Sequence, residues 1–262
     1  MFGRCKKTEQ MKFDSTAIEK IDRYLKSHKV VDIKNSTNAV VERGNGKKFE
    51  FEDHLRGLIY ALLTNQRKWA DVEPKLPQID RLFFYYNVDK IREKDATFFE
   101  HGIRNLRCGN ISIKAQMAAL FDNISTLEKI SQDYGSLDEF ALSADPGVIV
   151  SKLSNSNSHY KIKGLGPALA YEYLRNVGID ESKPDSHLRR FFGSERIAFS
   201  TAKEASEQEV TRAVAELASQ QQYTKFEIDY LIWAYCADGY GEICTASPNC
   251  KKCVIREYCY RG

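Results

Sequence analysis

The sequence lacks any long hydrophobic run. Apolar stretches such as residues 58–63 are far shorter than the roughly 18 residues that a membrane-spanning helix requires. No basic and apolar leader segment opens the chain. We therefore expect no membrane partner, and an intracellular protein in a reducing compartment, which would be the cytoplasm or nucleoid of a prokaryote.

Glycine and proline are also scarce, with 15 and 6 among 262 residues, and low-complexity segments are absent. This composition excludes fibrous and disordered chains, whereas 42% hydrophobic and 29% charged residues are ordinary for one or two globular units. The formal charge of +3 is compatible with a nucleic-acid partner but does not require one.

Strand-like alternation is rare, and helical spacing recurs instead. Leu55, Leu58, Ile59, Leu62 and Leu63 would form one apolar stripe on a helix, and residues 210–218 repeat this spacing. Residues 226–236 are apolar nearly all round, which indicates a buried helix, and residues 16–26 form an amphipathic one. The sequence predicts an all-α fold.

Cysteine, by contrast, is abundant and clustered. Four of seven cysteines lie close together in a Cys-x5-Cys-x2-Cys-x5-Cys pattern, at Cys244, Cys250, Cys253 and Cys259. Such crowding favours a metal centre over a disulfide framework. Zinc stays open as an alternative, although only one Cys-x2-Cys pair is present. The other three, Cys5, Cys108 and Cys236, are interpreted as core or surface thiols.

A glycine-rich turn precedes a helix at residues 160–170. Gly164 and Gly166 are followed by Pro167, which is favoured in the first turn of a helix. The open backbone amides of such a helix start can bind a phosphate, and Lys161 and Lys163 add positive charge. A purely structural turn would have the same local pattern.

An aspartate follows the turn at the start of another helix. Asp185 comes after Lys183-Pro184, where an N-cap is expected. A carboxylate there could also stabilise a cationic sugar. His187 is expected to bind backbone or phosphate rather than to act in catalysis.

The turn, the Asp185 segment and the four cysteines, in this order, resemble the helix-hairpin-helix DNA glycosylases of the endonuclease III family. The similarity extends over residues 51–262. It implies two helical domains: a six-helix barrel at 51–178, and a second domain made of 1–50 and 179–262. The cysteines would hold a four-iron four-sulfur cluster that stabilises the loop 244–259 and presents Lys251 and Lys252 to phosphates. The family spacing has six residues in the first cysteine loop, where this chain has five. A monovalent cation at the hairpin is a further expectation.

The resemblance implies a monomer that binds double-stranded DNA, rotates a damaged or modified base out of the helix and hydrolyses its N-glycosidic bond. Asp185 would be the catalytic carboxylate, which stabilises the cationic sugar and positions or deprotonates the attacking water. Gln66 would fill the gap left by the base, and Asn110 would be a second wedging residue. The hairpin residues Lys161, Lys163, Gly164 and Gly166, with His187, would contact DNA.

One departure from the family concerns the nucleophile. Ala168 stands where bifunctional members carry the lysine that forms a Schiff base, so we expect a monofunctional N-glycosylase. Two alternatives stay open: a lyase that uses Lys161 or Lys163, and a non-catalytic DNA-binding relative. The base is not identified. Adenine removal is disfavoured, because no acid lies between Leu55 and Gln66 and the chain stops three residues after Cys259.

Overall fold

The computed structural model describes residues 12–30, 38–220 and 222–260. All regular secondary structure within these ranges is helical, which confirms the predicted all-α fold. Among these residues, no helix has the length and apolar character needed to cross a membrane. Cys5 lies outside the described residues.

The chain divides into two compact units. One is Thr37–Glu181, and the other combines Met1–Ser36 with Ser182–Gly262. Residues 38–50 therefore belong with the Thr37–Glu181 unit, contrary to the predicted grouping of 1–50 with the C-terminal part. The reason is a set of long-range contacts: the Arg43 guanidinium donates to the Val177 carbonyl oxygen at 2.6 Å and to an Asp138 carboxylate oxygen at 2.5 Å.

The Thr37–Glu181 unit contains eleven α-helical segments among its described residues, more than the six expected, because several are only one or two turns long. They are α2 (Asn38–Gly44), α3 (Phe51–Leu63), α4 (Trp69–Val72), α5 (Leu76–Leu82), α6 (Val88–Arg92), α7 (Ala96–Asn105), α8 (Ile113–Ala118), α9 (Leu120–Tyr134), α10 (Leu137–Leu142), α11 (Pro146–Ser154) and α12 (Pro167–Asn176).

Helix α3 lies at the centre of this unit and packs against α12. Its predicted apolar stripe is fully buried, and a capping box formed by Glu50 and Asp53 fixes its start. Gly57 permits close packing, since a Cβ there would lie 3.2 Å from the side chains of Asn176 and Val177. The Asn176 amide also donates to the Gly57 carbonyl oxygen at 3.0 Å. This contact holds the C-terminal end of α12 against α3.

The second unit contains α1 (Ser15–Ser27), α13 (Ser186–Phe191), α14 (Glu207–Ala218) and α15 (Lys225–Cys236). Helix α15 is buried on nearly all sides, as predicted, and α1, α13 and α14 pack around it. Two short 3-10 helices, Cys250–Lys252 and Arg256–Tyr258, lie in the cysteine segment. The core joins side chains of these α-helices, including Ile18, Leu188, Val210 and Leu231.

Candidate functional site

The glycine turn joins α11 and α12 as a tight hairpin. Gly164 has a φ of +81°, a left-handed conformation that glycine adopts without steric cost. Gly166 is the N-cap of α12, and no side chain of the described residues caps this helix start. Both glycines are exposed, while the intervening Leu165 is buried and anchors the turn. The hairpin therefore presents a bare backbone and an uncapped helix N-terminus on its outer side.

Helix α9 holds the hairpin from one side. The Asn123 side chain accepts a hydrogen bond from the Lys163 amide at 2.8 Å and donates to the Lys163 carbonyl oxygen at 3.0 Å. This two-point clamp pairs both backbone polar groups of one hairpin residue. The turn is thus held in place by protein atoms.

The two hairpin lysines have different environments. The Lys161 ammonium is half-buried and donates to the Leu165 carbonyl oxygen at 2.5 Å. Burial lowers the pKa of this amine. Lys163 is exposed and pairs with Asp122 at 2.6 Å. Both residues lie at the hairpin as the sequence predicted, but each amine already has a partner.

The end of α3 and the turn that precedes α8 lie beside the hairpin. The Leu62 carbonyl oxygen accepts hydrogen bonds from the side-chain amides of Asn110 at 3.0 Å and Gln116 at 3.2 Å. A Cβ at Gly164 would lie 3.6 Å from the Gln116 side chain. The end of α3, the 109–112 turn and the hairpin tip therefore share one packed hydrogen-bonded support.

Asn110 is part of this support and not an exposed wedge. Only 6% of the residue is exposed, and its side chain bonds Leu62, Gln116 and the Ser112 amide. The predicted DNA contact does not fit this position, because the amide is already used inside the unit. The next residue, Ile111, is 85% exposed at the tip of the same turn. In the sequence, this exposed residue could have been recognised as a single isoleucine between two polar residues in a turn.

Gln66 is exposed in the loop after α3, where the sequence placed it. Its φ of +53° is unusual for a residue with a side chain, and strain of this kind is common at functional sites. The neighbouring Arg67 donates to the Arg107 carbonyl oxygen at 2.6 Å, which ties this loop to the segment before Asn110. Gln66, Ile111 and the hairpin glycines are thus exposed residues of connected loops.

Asp185, in the other unit, is the N-cap of α13. Its Oδ1 accepts hydrogen bonds from the amides of His187 at 2.7 Å and Leu188 at 3.2 Å. Its Oδ2 lies 3.2 Å from Nδ1 of His187, and 17% of the side chain is exposed. Burial acts to raise the pKa of this carboxyl, but the bond to His187, the charge of Lys183 and the Leu188 amide lower it below its ordinary value. The group is a carboxylate at neutral pH.

His187 connects Asp185 with an aromatic group on α15. The imidazole is 30% exposed, and its ring centroid lies 6.4 Å from that of Trp233 in an edge-to-face arrangement. Trp233 in turn contacts Tyr230 and Tyr240 at centroid distances of 5.8 and 4.7 Å. These contacts fix the ring next to Oδ2 of Asp185. Sequence reasoning did not identify Trp233, although its helix was predicted.

The four clustered cysteines are half-buried. Cys250 lies in the first short 3-10 helix, Cys253 and Cys259 directly follow the two helices, and Cys244 precedes them. Burial raises the pKa of the Cys253 thiol, and the nearby thiols of Cys244 and Cys250 act in the same direction. Cys236, buried at the end of α15, contacts Cys244, and burial raises its pKa well above the ordinary value. Among the described residues, no three His, Cys, Asp or Glu side chains are arranged to hold a metal ion.

The chemistry of this donor set fits an iron-sulfur cluster, since four cysteine thiolates are its usual ligands. Arg190, whose charge acts on Cys236, has a buried Nε without a hydrogen-bond partner among the described residues, and this positive charge suits an anionic group nearby. Cys244, Cys250, Cys253 and Cys259 would hold the cluster, which would supply a structural cross-link. The cluster stays a prediction. Lys251 and Lys252 between them are exposed.

Comparison with known proteins identifies the fold. No protein-family profile matches the chain, and no curated protein matches it. Two solved structures do. The 8-oxoguanine glycosylase/lyase of Methanocaldococcus jannaschii, in complex with a 15-mer DNA containing 8-oxoguanine, has 17% identity and a TM-score of 0.55, over 84% of this chain and 96% of that one. The 8-oxoguanine DNA glycosylase of Thermotoga maritima has 16% identity and a TM-score of 0.56, over 84% and 95%. The chain shares the all-helical fold of these two glycosylases.

Proposed function

We propose that this protein is a base-excision DNA N-glycosylase. The observation that carries the proposal is the hairpin face of the Thr37–Glu181 unit, where an exposed glycine turn and an uncapped helix start lie beside exposed Gln66 and Ile111. The likeness of the fold to two glycosylases supports the same function.

The hairpin would bind the DNA backbone. Gly164 and Gly166 carry no side chain to block a phosphate, and a Cβ at Gly166 would meet no described atom within 4 Å. The amides at the start of α12 have no capping side chain from the described residues, and a helix N-terminus favours an anion. Contacts of this type position DNA without reading its sequence.

Gln66 and Ile111 would maintain the duplex once a nucleotide has left the stack. A base must be rotated out before an enzyme can reach its glycosidic bond, which leaves a gap and unstacks its neighbours. Ile111 is an exposed apolar side chain on a turn that Asn110 holds rigidly, which suits insertion between base pairs. We assign it the wedging role that the sequence gave to Asn110.

Asp185 would stabilise the reaction centre. Loss of the base creates positive charge on the deoxyribose, as in other glycoside cleavages. The carboxylate is ionised, and its Oδ1 is fixed by two backbone amides, so Oδ2 is the oxygen left to face the sugar or the attacking water. His187 would hold Oδ2 in place.

We propose that the reaction ends at hydrolysis. The Ala168 side chain has no nucleophile, the Lys161 amine bonds a hairpin carbonyl, and the Lys163 amine pairs with Asp122. The product would be an intact strand with an abasic site. In this respect the chain would differ from the M. jannaschii protein, which is described as a glycosylase/lyase.

The substrate proposed first is a duplex with an oxidised purine, because both structural relatives are 8-oxoguanine glycosylases. The test is incubation with duplexes that each carry one oxidised, alkylated, deaminated or mismatched base. Samples would be analysed with and without alkali and after borohydride. Strand breaks that require alkali support the proposal. Breaks without alkali together with a borohydride adduct would establish a lyase, and binding without base release from any duplex would establish a non-catalytic protein.

A further inference from the structure

Lys161 occupies a position inside the hairpin, facing the backbone of the turn. Its ammonium donates to the Leu165 carbonyl oxygen, which lies between the two glycines. We propose that this ammonium replaces the monovalent cation expected at the hairpin, so that the turn forms and binds DNA without potassium or sodium. The DNA part of this inference rests on the proposed function, while the stability part does not.

The backbone hydrogen bonds that the structure describes in the turn do not engage the Leu165 carbonyl oxygen, which accepts from the Lys161 ammonium. The Leu165 amide donates to the Ile162 carbonyl oxygen at 3.2 Å, and the Lys161 amide donates to that of Ser158 at 3.2 Å. These bonds bend residues 158–165 back on themselves and bring the Lys161 side chain over Leu165. A buried carbonyl oxygen needs a partner, and a charged donor is a strong one.

The charge of Lys161 is not neutralised within the described part of the unit. Its ammonium has no acidic partner there, in contrast to Lys163, which forms an ion pair with Asp122. A positive charge held beneath the exposed glycines would attract a phosphate just as a bound cation does. The half-buried ammonium and a bare monovalent ion would repel each other at one carbonyl, so only one of them can occupy it.

The comparison of Lys161→Met with Lys163→Met tests this inference. Both changes remove one hairpin lysine, but only the first removes the hydrogen bond to Leu165. The melting temperature of each full-length protein would be measured in potassium chloride and in choline chloride at equal ionic strength. Affinity for a duplex with one abasic-site analogue would be measured in the same two salts.

We expect the wild type and Lys163→Met to melt at the same temperature in both salts. Lys161→Met should melt about 4 °C lower in choline and recover most of this decrease in potassium. Its DNA affinity should become potassium-dependent as well. Potassium dependence in the wild type would overturn the inference. So would a Lys161→Met protein that is as stable as the wild type, or one whose stability potassium does not restore. Melting requires neither DNA nor base release, so failure of the proposed function would not affect this result.

Discussion

The hairpin face and the cysteine segment are the two most specific motifs of the chain, and their structures differ in kind. The hairpin is held by hydrogen bonds from Asn123 and by packing on Gln116, all within its own unit. The cysteine segment has little regular structure beyond two single-turn helices. The hairpin motif is defined by its backbone conformation, and other protein atoms hold this conformation in place. The cysteine motif is a set of ligands, and its structure depends on the group that it binds.

Hydrogen bonds with Tyr235 and Arg196 anchor the cysteine segment within its unit. The Tyr235 hydroxyl accepts a hydrogen bond from the Val254 amide at 3.0 Å, and Arg196 donates to the carbonyl oxygens of Thr245 and Ala246 at 3.3 and 3.5 Å. These contacts bring the segment to the core of its unit. We therefore expect that replacing one of the four clustered cysteines lowers the stability of its unit more than any single substitution at the hairpin face lowers the stability of the Thr37–Glu181 unit.

The largest effect on stability is expected from Cys253→Ser. If the cysteines hold a cluster, its binding energy contributes directly to folding, and the variant should lose iron and sulfide and melt about 20 °C lower. Ser247→Ala is the matched control, because this exposed side chain lies in the same segment. Iron and sulfide analysis with thermal melting provides the measurement. Wild-type protein with stoichiometric zinc, or with no metal at all, would contradict the iron-sulfur prediction.

A smaller decrease is expected from Asp138→Asn in the other unit. Asp138 pairs with Arg43, whose side chain is 15% exposed, and lies near buried His54, so the change leaves a half-buried guanidinium without its carboxylate and should cost about 3 kcal/mol of unfolding free energy. Glu128→Gln, which breaks an exposed pair with Arg92, should cost less than about 1 kcal/mol. Urea unfolding measures both. Equal decreases would show that the buried pair is not special.

The same ion pair predicts a pH dependence. Burial opposes ionisation of Asp138, but the neighbouring His54 imidazole and the Arg43 guanidinium outweigh it and hold the pKa of this carboxyl well below its usual range. A group with a lowered folded pKa stabilises the fold above its unfolded pKa and loses this contribution as the pH falls. Wild-type stability should therefore decrease below about pH 4, and the Asp138→Asn protein should show a weaker decrease. An identical acid profile for both would contradict the assignment.

Asn110→Ala and Ile111→Ala distinguish a structural role from a DNA-binding role at the hairpin face. Asn110→Ala removes buried hydrogen bonds and should cost about 2 kcal/mol of unfolding free energy. Ile111→Ala changes an exposed side chain, so stability should be unchanged while base release slows about tenfold. Urea unfolding and single-turnover base release distinguish the two. Normal release by Ile111→Ala would remove the wedging role.

The smallest effect is expected at the exposed lysines of the cysteine segment. Replacing Lys251 or Lys252 by alanine should reduce the slope of log affinity against log salt by about 1 for each phosphate that the variant no longer neutralises. Binding to an undamaged duplex at several salt concentrations gives this slope. An unchanged slope would indicate that these lysines do not bind DNA.

Local signals predicted much of the fold. The apolar stripe of α3, the all-round apolar pattern of α15, the hairpin glycines and Asp185 as an N-cap all appear as expected, because each depends on residues within a few positions. The cluster, by contrast, stays a prediction. A local pattern identifies four thiols as candidate ligands, but it does not specify how the folded segment spaces them.

Long-range pairings were not predictable. Asn110 is buried against an acceptor, the Leu62 carbonyl oxygen, that is 48 positions away in sequence. Residues 38–50 join the Thr37–Glu181 unit because Arg43 pairs with Asp138. The left-handed turn at residues 84–86 is another example, since three consecutive aromatic residues adopt positive φ without any glycine. Such conformations are set by surrounding packing and leave no compositional signal.

The most direct test of the account is single-turnover base release by Asp185→Asn on the duplex that the wild type processes. Asparagine preserves the N-cap of α13 but removes the charge, and Asp95→Asn at the N-cap of α7 is the matched control. We predict a decrease of about 1,000-fold in release for Asp185→Asn, with duplex affinity retained and the control unaffected. Release at the wild-type rate from Asp185→Asn would contradict the proposed role of this carboxylate.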